Sequence, residues 1–253
     1  MSHHIIEARD MHFVYPDGHK AINGISFRIL HGESVGIIGA NGAGKSTLLM
    51  LLMGVLFPSA GEVRVGDVVV TRKTLPLIRQ RLGMVFQDPD DQLFMTTVYD
   101  DVAFGPRNYR LDEDEVERRV MMALEMVGIP HLKDRAPFKL SGGEKRSAAI
   151  ASVLSLQPDI LLMDEPTSSL DPKSRRMLMR QLKGFEHTKI ITSHDLDMVY
   201  ELCERIILIK DGAVVSDGPA AEILVNAELM DSCGLEVPLS VQGCPVCGRG
   251  KRN

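Results

Sequence analysis

A nine-residue segment of the chain has the residue types and spacing of a phosphate-binding loop. Residues 39–47 read GANGAGKST and fit the pattern G-x-x-x-x-G-K-[ST] at every fixed position. An apolar segment, Ser34–Ile38, precedes them, and another apolar stretch follows from Leu48. Small residues let successive backbone N–H groups turn toward phosphate oxygens, and the N-terminus of the following helix adds positive potential. We therefore expect Lys45 to reach the β- and γ-phosphates of a nucleotide and the Ser46 hydroxyl to bind Mg²⁺.

An acidic pair follows a second buried segment. Residues 160–163 are apolar throughout, and Asp164 and Glu165 come directly after them. Because ligands bind at the carboxyl ends of parallel strands, Asp164 is placed to hold Mg²⁺ and Glu165 to orient or deprotonate an attacking water. Taken alone, such a pair is more often part of a solvated loop. The phosphate-binding loop upstream favours the catalytic interpretation.

The elements that must position these residues alternate along the chain. Apolar segments rich in branched residues alternate with helix-like stretches, which predicts an α/β fold with a mostly parallel sheet between helices. Residues 25–30 instead alternate between apolar and polar types, so we expect an antiparallel β layer near the N-terminus. The predicted strands are 25–30, Ser34–Ile38, 62–65, 82–86, 160–163, 189–192, 205–209 and 213–216.

The middle of the chain, residues 89–158, differs from the parts that flank it. It has few β-branched runs and several helix signals, among them the capping-box spacing of Asp112 and Glu115 and a closing Gly128. We therefore predict a helical subdomain inserted into an α/β core. The core would take in residues 1–88 and 159–225, and residues 226–253 would form a weakly patterned tail.

Composition excludes several classes of protein. The 253 residues are 44% hydrophobic and 25% charged, which is typical of a globular chain with a full core. The longest apolar run, 48–57, is too short to span a bilayer, and no secretion signal opens the chain, so we expect a cytosolic protein. The net charge of −5 and the 5% of aromatic residues disfavour a nucleic-acid partner. Four cysteines without a signal peptide do not indicate a disulfide framework.

A pentapeptide shortly before the acidic pair identifies a family. Residues 140–144 read LSGGE, and the order of phosphate-binding loop, pentapeptide and Asp-Glu strand resembles the ABC-type ATPases over about residues 6–224. The resemblance implies a RecA-like P-loop NTPase fold that hydrolyses ATP with Mg²⁺. It also gives roles to Tyr15, which would stack on adenine, and to His194, which would contact the γ-phosphate. Without it, Tyr15 would be taken for a surface aromatic and His194 for a structural or loop histidine.

The same resemblance implies a full set of site residues, including Gln87 in the Q-loop and residues 169–171 in the D-loop. The implied catalytic residues are Glu165, His194 and Gln87. The implied Mg²⁺ ligands are Ser46, Gln87 and Asp164. The implied ATP-binding residues are Tyr15, Gly39, Asn41, Gly42, Gly44, Lys45, Ser46, Thr47, Ser141, Gly142, Gly143 and Asp171.

The family also implies that one chain cannot complete the reaction. Two ATPase subunits would form a head-to-tail pair, with each ATP between the phosphate-binding loop of one and Ser141, Gly142 and Gly143 of the other. These residues would open a helix and offer donors to the γ-phosphate. The second subunit is either a copy of this chain or a paralogue. Ser147 stands where many relatives carry Arg, which predicts that a surface contact is lost.

Three further segments resemble the energy-coupling-factor importers, with the best match to their cobalt/nickel branch: 13–18 (FVYPDG), 86–94 (FQDPDDQLF) and 97–106 (TVYDDVAFGP). This implies import of a transition-metal ion, cobalt before nickel, by a peripheral ATPase on the cytoplasmic face of the cell membrane. A membrane scaffold and substrate-binding subunits would be its partners, and a vitamin is the alternative cargo. Residues 88–106 would face the scaffold, and we expect their apolar side chains to be divided between a docking surface and the core of the insertion.

Two other classes of function compete with a transport ATPase. A soluble ABC-type protein that acts on DNA or the ribosome usually has a long coiled-coil insertion or two cassettes, and this sequence has neither. A metal-sensing module would use Cys244 and Cys247, whose spacing allows two thiolates to share one zinc ion, with Cys233 as the third thiol of the tail. Free reduced thiols are the alternative.

Overall fold

The computed structural model describes residues 4–168, 170–185 and 187–242. The chain divides into two compact units: unit 1 takes in residues 1–75 and 189–253, and unit 2 residues 76–188. The described strands are β1 (His4–Val14), β2 (Lys20–Leu30), β3 (Ser34–Ile38), β4 (Ala60–Val65), β5 (Val68–Val69), β6 (Leu82–Val85), β7 (Ile160–Asp164), β8 (Thr188–Thr192), β9 (Arg205–Lys210) and β10 (Ala213–Pro219). The described α-helices are α1 (Lys45–Leu52), α2 (Leu75–Arg81), α3 (Val98–Asn108), α4 (Glu113–Met126), α5 (Gly142–Leu154), α6 (Pro172–Lys183), α7 (Leu196–Leu202), α8 (Ala220–Ile223) and α9 (Ala227–Ser232).

Unit 1 contains the antiparallel layer that the sequence predicts near the N-terminus. Its strands pair in the order β2-β1-β4-β5, and every pair is antiparallel. Ile25, Phe27 and Ile29 are buried, whereas Ser26 and Arg28 between them are exposed. The predicted period-2 strand is therefore confirmed, although it begins at Lys20 rather than at residue 25.

Unit 1 also contains the parallel strands that lead into the phosphate-binding loop. β3 lies between β8 and β9 and runs parallel to both, while β10 pairs antiparallel with β9. Every residue of β3 is buried, as expected for a strand that is covered on both faces. The loop and α1 follow β3 directly, so the predicted order of strand, loop and helix is present.

Unit 2 contains a parallel pair of strands and four described helices of 11 to 14 residues, α3, α4, α5 and α6. β6 and β7 pair in parallel. Residues 86–159, which separate them and are all described, form α3, α4, α5 and short 3₁₀ turns, with no strand. The helical character that the sequence predicts for this stretch is thus observed, and the division at residues 89, 159 and 226 stays a prediction.

Helix α4 follows its predicted signals in part. The Asp112 side chain caps the N-terminus by accepting a hydrogen bond from the Glu115 backbone N–H at 2.9 Å, and Gly128 follows the helix with a φ of 74°. The Glu115 carboxylate binds Arg118 and Arg119, each at 2.6 Å, so only one half of a capping box is seen among the described contacts. The predicted apolar face is buried: Val116, Val120, Leu124 and Val127.

The predicted α/β class with parallel strands is confirmed, and all eight predicted strands are present: Ser34–Ile38 matches β3 at both ends, and the other seven have at least one shifted end. The sequence does not predict β1, because Glu7, Arg9 and Asp10 interrupt its apolar pattern. These charges are tolerated since the buried Glu7 carboxylate pairs with Arg9 at 2.7 Å and Arg28 at 2.6 Å. Among the described residues, no helix has both the length and the apolar character needed to cross a bilayer.

Candidate functional site

The loop between β3 and α1 is shaped by glycines at positions where a side chain does not fit. Gly44 has a φ of 105°, and a Cβ there would lie 2.5 Å from the Ala21 carbonyl oxygen. A Cβ at Gly39 would lie 2.3 Å from the carbonyl oxygen of Ile209. Gly44 is also the N-cap of α1 and has no side chain with which to satisfy the first backbone N–H groups of the helix. This helix N-terminus is therefore available to an anion such as a phosphate.

Lys45 and His194 lie side by side in unit 1. The Lys45 ammonium is buried and donates to the carbonyl oxygens of Gly39 at 2.9 Å and Ala40 at 3.2 Å. Its Nζ also lies 3.3 Å from Nε2 of His194. Two residues that are 149 positions apart in sequence are thus in contact beside the phosphate-binding loop. A phosphate held by one would be within reach of the other, as the assignment from sequence requires.

Tyr15 lies next to the end of the loop. Its hydroxyl is 3.0 Å from the Thr47 hydroxyl, and its ring contacts Phe13 edge-on with the centroids 4.9 Å apart. Tyr15 is only partly buried, and the His19 ring stacks near it with the centroids 6.3 Å apart, whereas Thr47 is buried and its hydroxyl is engaged by Tyr15. The remaining loop residues that the sequence assigns to ATP are accessible to different degrees: Asn41 and Gly42 are exposed, and Ser46 is half-buried.

The described part of the tail, residues 226–242, contacts the rest of unit 1. The Lys210 ammonium donates to the Ser232 carbonyl oxygen at 2.6 Å, and the Asp197 carboxylate accepts from the backbone N–H groups of Leu239 and Ser240. Cys233 is buried. A cavity of about 440 Å³ is lined by residues 40–43 of the loop, by Lys210 and Asp211, and by residues 231–234 of the tail. The tail therefore has a defined position up to residue 242, although its sequence is weakly patterned.

In unit 2, Asp164 and Glu165 leave the end of β7. Asp164 is its last residue and is 5% exposed. Glu165 is 9% exposed and has a φ of 46°, a left-handed conformation that costs about 1–3 kcal/mol for a residue with a side chain. The turn is closed by the Ser168 backbone N–H, which donates to the Glu165 carbonyl oxygen at 3.1 Å. The acidic pair is thus part of a tight, largely buried turn and not of a solvated loop.

The pentapeptide forms the N-terminus of α5. Ser141 is the N-cap, and its hydroxyl accepts from the Glu144 backbone N–H at 3.4 Å. In return, the Glu144 carboxylate accepts from the backbone N–H and the hydroxyl of Ser141, both at 2.8 Å. The Ser141 backbone and side-chain hydrogen bonds hold the pKa of Glu144 below its ordinary value. Ser141 and Gly142 are exposed, so they can meet a molecule outside this chain.

Asp171 lies beside this pentapeptide within unit 2. Its carboxylate caps α6 by accepting from the backbone N–H groups of Lys173 and Ser174 and from the Ser174 hydroxyl. These hydrogen bonds hold the Asp171 pKa below its ordinary value, and the bond from the Ser174 hydroxyl makes the largest contribution. Gly143 makes the approach of the two helices close, because a Cβ there would lie 2.4 Å from the Ser174 hydroxyl.

Two residues that were not predicted from the sequence hold the backbone of Phe86 and Gln87. Arg146 is 2% exposed and donates to the carbonyl oxygens of Phe86 and Gln87. Gln92 accepts from the Phe86 backbone N–H at 3.2 Å and donates to the Ala149 carbonyl oxygen at 2.6 Å. The sequence marks Arg146 only weakly, as an arginine directly before residues 147–151 (SAAIA), which are mostly small.

The expectation for Ser147 is wrong. This side chain is 4% exposed in α5 and therefore does not lie on the surface. No surface contact is lost by having Ser at this position. The buried guanidinium of the first turns of α5 comes instead from its neighbour, Arg146.

Residues 88–106 divide between core and surface, as expected. Leu93 and Val98 are buried. Phe94 is 64% exposed and Phe104 46% exposed, and their rings meet edge to face with centroids 4.9 Å apart. Tyr99 is half-buried, and its ring lies under the Arg107 guanidinium at 5.8 Å.

Several sequence predictions fall on residues outside the described ranges. Ser169 of the D-loop and the Cys244 and Cys247 pair are among them. Within residues 4–168, 170–185 and 187–242, no cluster of three or more His, Cys, Asp or Glu side chains could hold a metal ion. The zinc hypothesis for the tail therefore stays untested.

Comparisons with known proteins identify the family of the chain. The family model described as ABC transporter matches residues 22–168. A putative ABC transporter ATP-binding protein of Geobacter sulfurreducens is 64% identical over 249 residues, which cover 98% of this chain and all of that protein. The energy-coupling factor transporter ATP-binding protein EcfA of Methanothermobacter thermautotrophicus is 45% identical over 239 residues, which cover 92% of this chain and 77% of that protein.

A solved structure is similar over nearly the whole chain. It is cbiO1 from Clostridium perfringens, described as part of the ABC transporter complex cbiONQ. The TM-score is 0.81 at 39% sequence identity, and the match covers 91% of this chain and 94% of that chain.

Proposed function

The chain belongs to the ABC transporter family as an ATP-binding, ATP-hydrolysing subunit, and from this premise we propose that it powers an energy-coupling-factor importer. The proposed cargo is a transition-metal ion, cobalt before nickel, with a vitamin as the alternative. The likeness to cbiO1, a component of the cbiONQ complex, is the observation that carries this proposal. The EcfA relative and the three segments that resemble energy-coupling-factor importers support it.

The phosphate-binding loop would hold the nucleotide through its backbone. Lys45, which now donates to two loop carbonyls, would donate to the β- and γ-phosphates. The N-terminus of α1 adds positive potential without a competing side-chain cap. Tyr15, beside Thr47, would stack on the base.

The donor set fits Mg²⁺, which prefers hard oxygen ligands. The Ser46 hydroxyl, the Gln87 side-chain carbonyl and the Asp164 carboxylate are the residues that would hold the ion. When bound, Mg²⁺ supplies positive charge to the β- and γ-phosphate oxygens. Asp164 is the last residue of β7 and is 5% exposed, and its carboxylate oxygens are of the type that Mg²⁺ binds.

Glu165 would accept the proton of the attacking water or orient that water. Its left-handed backbone turns the residue away from the direction of β7 immediately after Asp164. Neighbouring carboxyl groups can thereby serve two tasks, one toward Mg²⁺ and one toward water. His194, 3.3 Å from Lys45, would contact the γ-phosphate.

A second subunit would complete the site. The exposed Ser141 and Gly142, with Gly143, would donate to the γ-phosphate of the ATP that the partner holds, and Asp171 would lie at the same interface. Hydrolysis removes the phosphate that bridges the two subunits, so the pair opens. The partner is a second copy of this chain or a paralogue.

The aromatic pair Phe94 and Phe104 would contact the membrane scaffold. Substrate-binding subunits would be further members of the same complex. Asp101 fixes the loop that carries Phe94, because one carboxylate oxygen accepts from the backbone N–H groups of Phe94 at 2.9 Å and Met95 at 3.0 Å, whereas Phe104 lies in α3. An exposed aromatic pair with one ring on a fixed loop and the other on a helix is suited to a helix of a partner protein. The ATPase would therefore be peripheral, on the cytoplasmic face of the cell membrane.

The test is uptake of labelled cobalt and nickel by cells that carry this chain with its membrane partners. We expect uptake with the wild-type chain and with Glu117→Gln, which alters an exposed acid of α4, and loss of uptake with Glu165→Gln. Absence of metal uptake in an assembled complex that still hydrolyses ATP would overturn the metal cargo and favour a vitamin. Hydrolysis by Glu165→Gln at the wild-type rate would contradict the role of Glu165.

A further inference from the structure

Arg146 is a buried cation whose hydrogen bonds go to neutral oxygens. It is 2% exposed in α5. One terminal nitrogen donates to the Phe86 carbonyl oxygen at 2.6 Å; the other donates to the Gln87 carbonyl oxygen at 2.5 Å and to the Ser168 hydroxyl at 3.3 Å. Burial lowers the pKa of the Arg146 guanidinium, whereas the negative charges of Asp88 and Asp164 act to raise it. A buried charge costs several kcal/mol unless it is compensated, so this arrangement is expensive for a simple helix anchor.

Two further contacts fix the same segment to the same helix. The Lys145 ammonium binds both carboxylate oxygens of Asp90, at 2.6 and 2.9 Å. The Gln92 amide donates to the Ala149 carbonyl oxygen at 2.6 Å and to the Ser152 hydroxyl at 2.9 Å. Residues 86–92 are therefore attached to α5 at three successive points of the helix.

The two elements joined in this way carry different halves of the proposed site. Gln87 would contact the ATP that this subunit holds, whereas Ser141, the N-cap of the same α5, would contact the ATP that the partner holds. Arg146 connects the two elements through its contacts, since it is on the helix that Ser141 opens and binds the backbone of Gln87. A displacement of either element must therefore displace the other or break the bonds of Arg146.

We propose that Arg146 is a positioning residue for ATP hydrolysis, which fixes the Gln87 backbone to the helix that begins at Ser141 so that both move as one body. This inference rests on the proposed function. Arginine suits the task because its planar fork can donate to two adjacent carbonyl oxygens at once. Lysine keeps the charge but lacks the fork, so Arg146→Lys should loosen Gln87 while it preserves the fold.

The experiment compares the purified full-length wild-type chain with Arg146→Lys and with Arg119→Lys. Arg119 is the matched control, because it belongs to unit 2 and binds Glu115 on its own helix. For Arg146→Lys we expect kcat to fall about 10-fold or more, since small displacements of positioning groups have effects of this size. ATP affinity, measured at protein concentrations below those that give dimers, should stay within about 3-fold, because the phosphate-binding loop is unchanged.

A second readout reports on the Ser141 side of the linkage. In a Glu165→Gln background, which should retain bound ATP, we expect Arg146→Lys to need about 5-fold more ATP for half-maximal dimer formation by light scattering. The melting temperature should stay near that of the control. Gln92→Ala, which removes one of the other attachments, should shift kcat in the same direction by a smaller factor.

Three results would overturn the inference. One is a kcat for Arg146→Lys within 2-fold of the wild type. Another is a fall in kcat with ATP-dependent dimer formation unchanged, since Arg146 would then not link the two sides. The third is a large fall in melting temperature with a parallel loss of ATP affinity, which would make Arg146 a fold anchor. Hydrolysis by the wild type no faster than by Glu165→Gln would instead overturn the assigned role of Glu165 in the proposed function.

Discussion

Two helix N-termini in this protein carry glycine-rich sequences, and they are capped in opposite ways. α1 begins after Gly44, whose φ of 105° only glycine adopts readily and which has no capping side chain. α5 begins after Ser141, which forms a reciprocal capping box with Glu144. The first leaves its N–H groups to a ligand, and the second places a carboxylate of its own at the same position.

The two capping arrangements indicate how one fold can hold two unequal phosphate contacts. An uncapped N-terminus with a lysine beside it can bind a phosphate without help from another chain. A capped N-terminus with a negative charge must exchange internal hydrogen bonds for external ones, so its net gain is smaller. This is the behaviour expected if the loop at α1 binds ATP and the pentapeptide at α5 contributes only on dimer formation.

The largest expected effect is at the uncapped end. Lys45→Ala removes the charged donor and should weaken ATP binding about 100-fold, because hydrogen bonds from charged groups contribute about 1.5–3 kcal/mol each. Titration of the full chain with ATP in the presence of a chelator measures this. Lys73→Ala, an exposed lysine of unit 1, is the control and should bind as the wild type does. Equal affinities for the two variants would remove the assignment of the loop.

The next effect is at the capped end and should appear in turnover instead of affinity. Ser141→Ala removes a donor to the partner's ATP and should lower kcat by about 10- to 100-fold. ATP affinity of the dilute chain should change little, because the phosphate-binding loop is intact. Steady-state hydrolysis combined with that titration separates the two quantities. A variant that loses affinity and keeps its kcat would reverse the comparison between α1 and α5.

A smaller effect of opposite sign is expected at Glu144. Glu144→Gln removes a negative charge from the helix N-terminus, a contribution of about 0.3–1 kcal/mol. ATP-dependent dimer formation should therefore need about 2- to 5-fold less ATP in the Glu165→Gln background. Light scattering across an ATP titration gives the midpoint. A midpoint that moves to higher ATP would show that the capping box assists the partner contact.

The smallest effect is the pH dependence of that same capping box. The folded pKa of Glu144 lies below its ordinary value of 4.5 because the Ser141 backbone N–H and hydroxyl donate to the carboxylate. Its contribution to stability is thus fully present above the unfolded pKa and is lost as the pH falls through the folded value. The melting temperature of the wild type should exceed that of Glu144→Gln at pH 7, and the difference should shrink between pH 5 and 3. A difference that grows on acidification would contradict this origin.

Local patterns predicted the parts of the fold that depend on short stretches of chain. β3, the glycine loop and α1 follow one another in sequence, and each is specified by its own residue types. β1 escaped prediction because Glu7 and its arginine partners break the apolar pattern. Their burial becomes acceptable only when β2 brings Arg28 to within 2.6 Å of Glu7.

The candidate site shows the same division. Gly39, Lys45, Asp164 and Glu165 were found from local motifs. Arg146 was not, because its partners Phe86 and Gln87 are about 60 residues away and are backbone carbonyls that no sequence pattern marks. Ser147 was placed on the surface for the same reason: the burial of a helix face depends on what packs against it.

Residue type and short-range spacing were enough to predict which groups could bind a phosphate, a metal ion and a water, since they set that chemistry. Only the tertiary structure decided that Lys45 meets His194 and that Arg146 binds the Gln87 backbone. It also decided which of Phe94 and Leu93 stays exposed. The physical reason is that hydrogen bonds and burial depend on distances in space, and contacts between remote segments form only when the chain has folded.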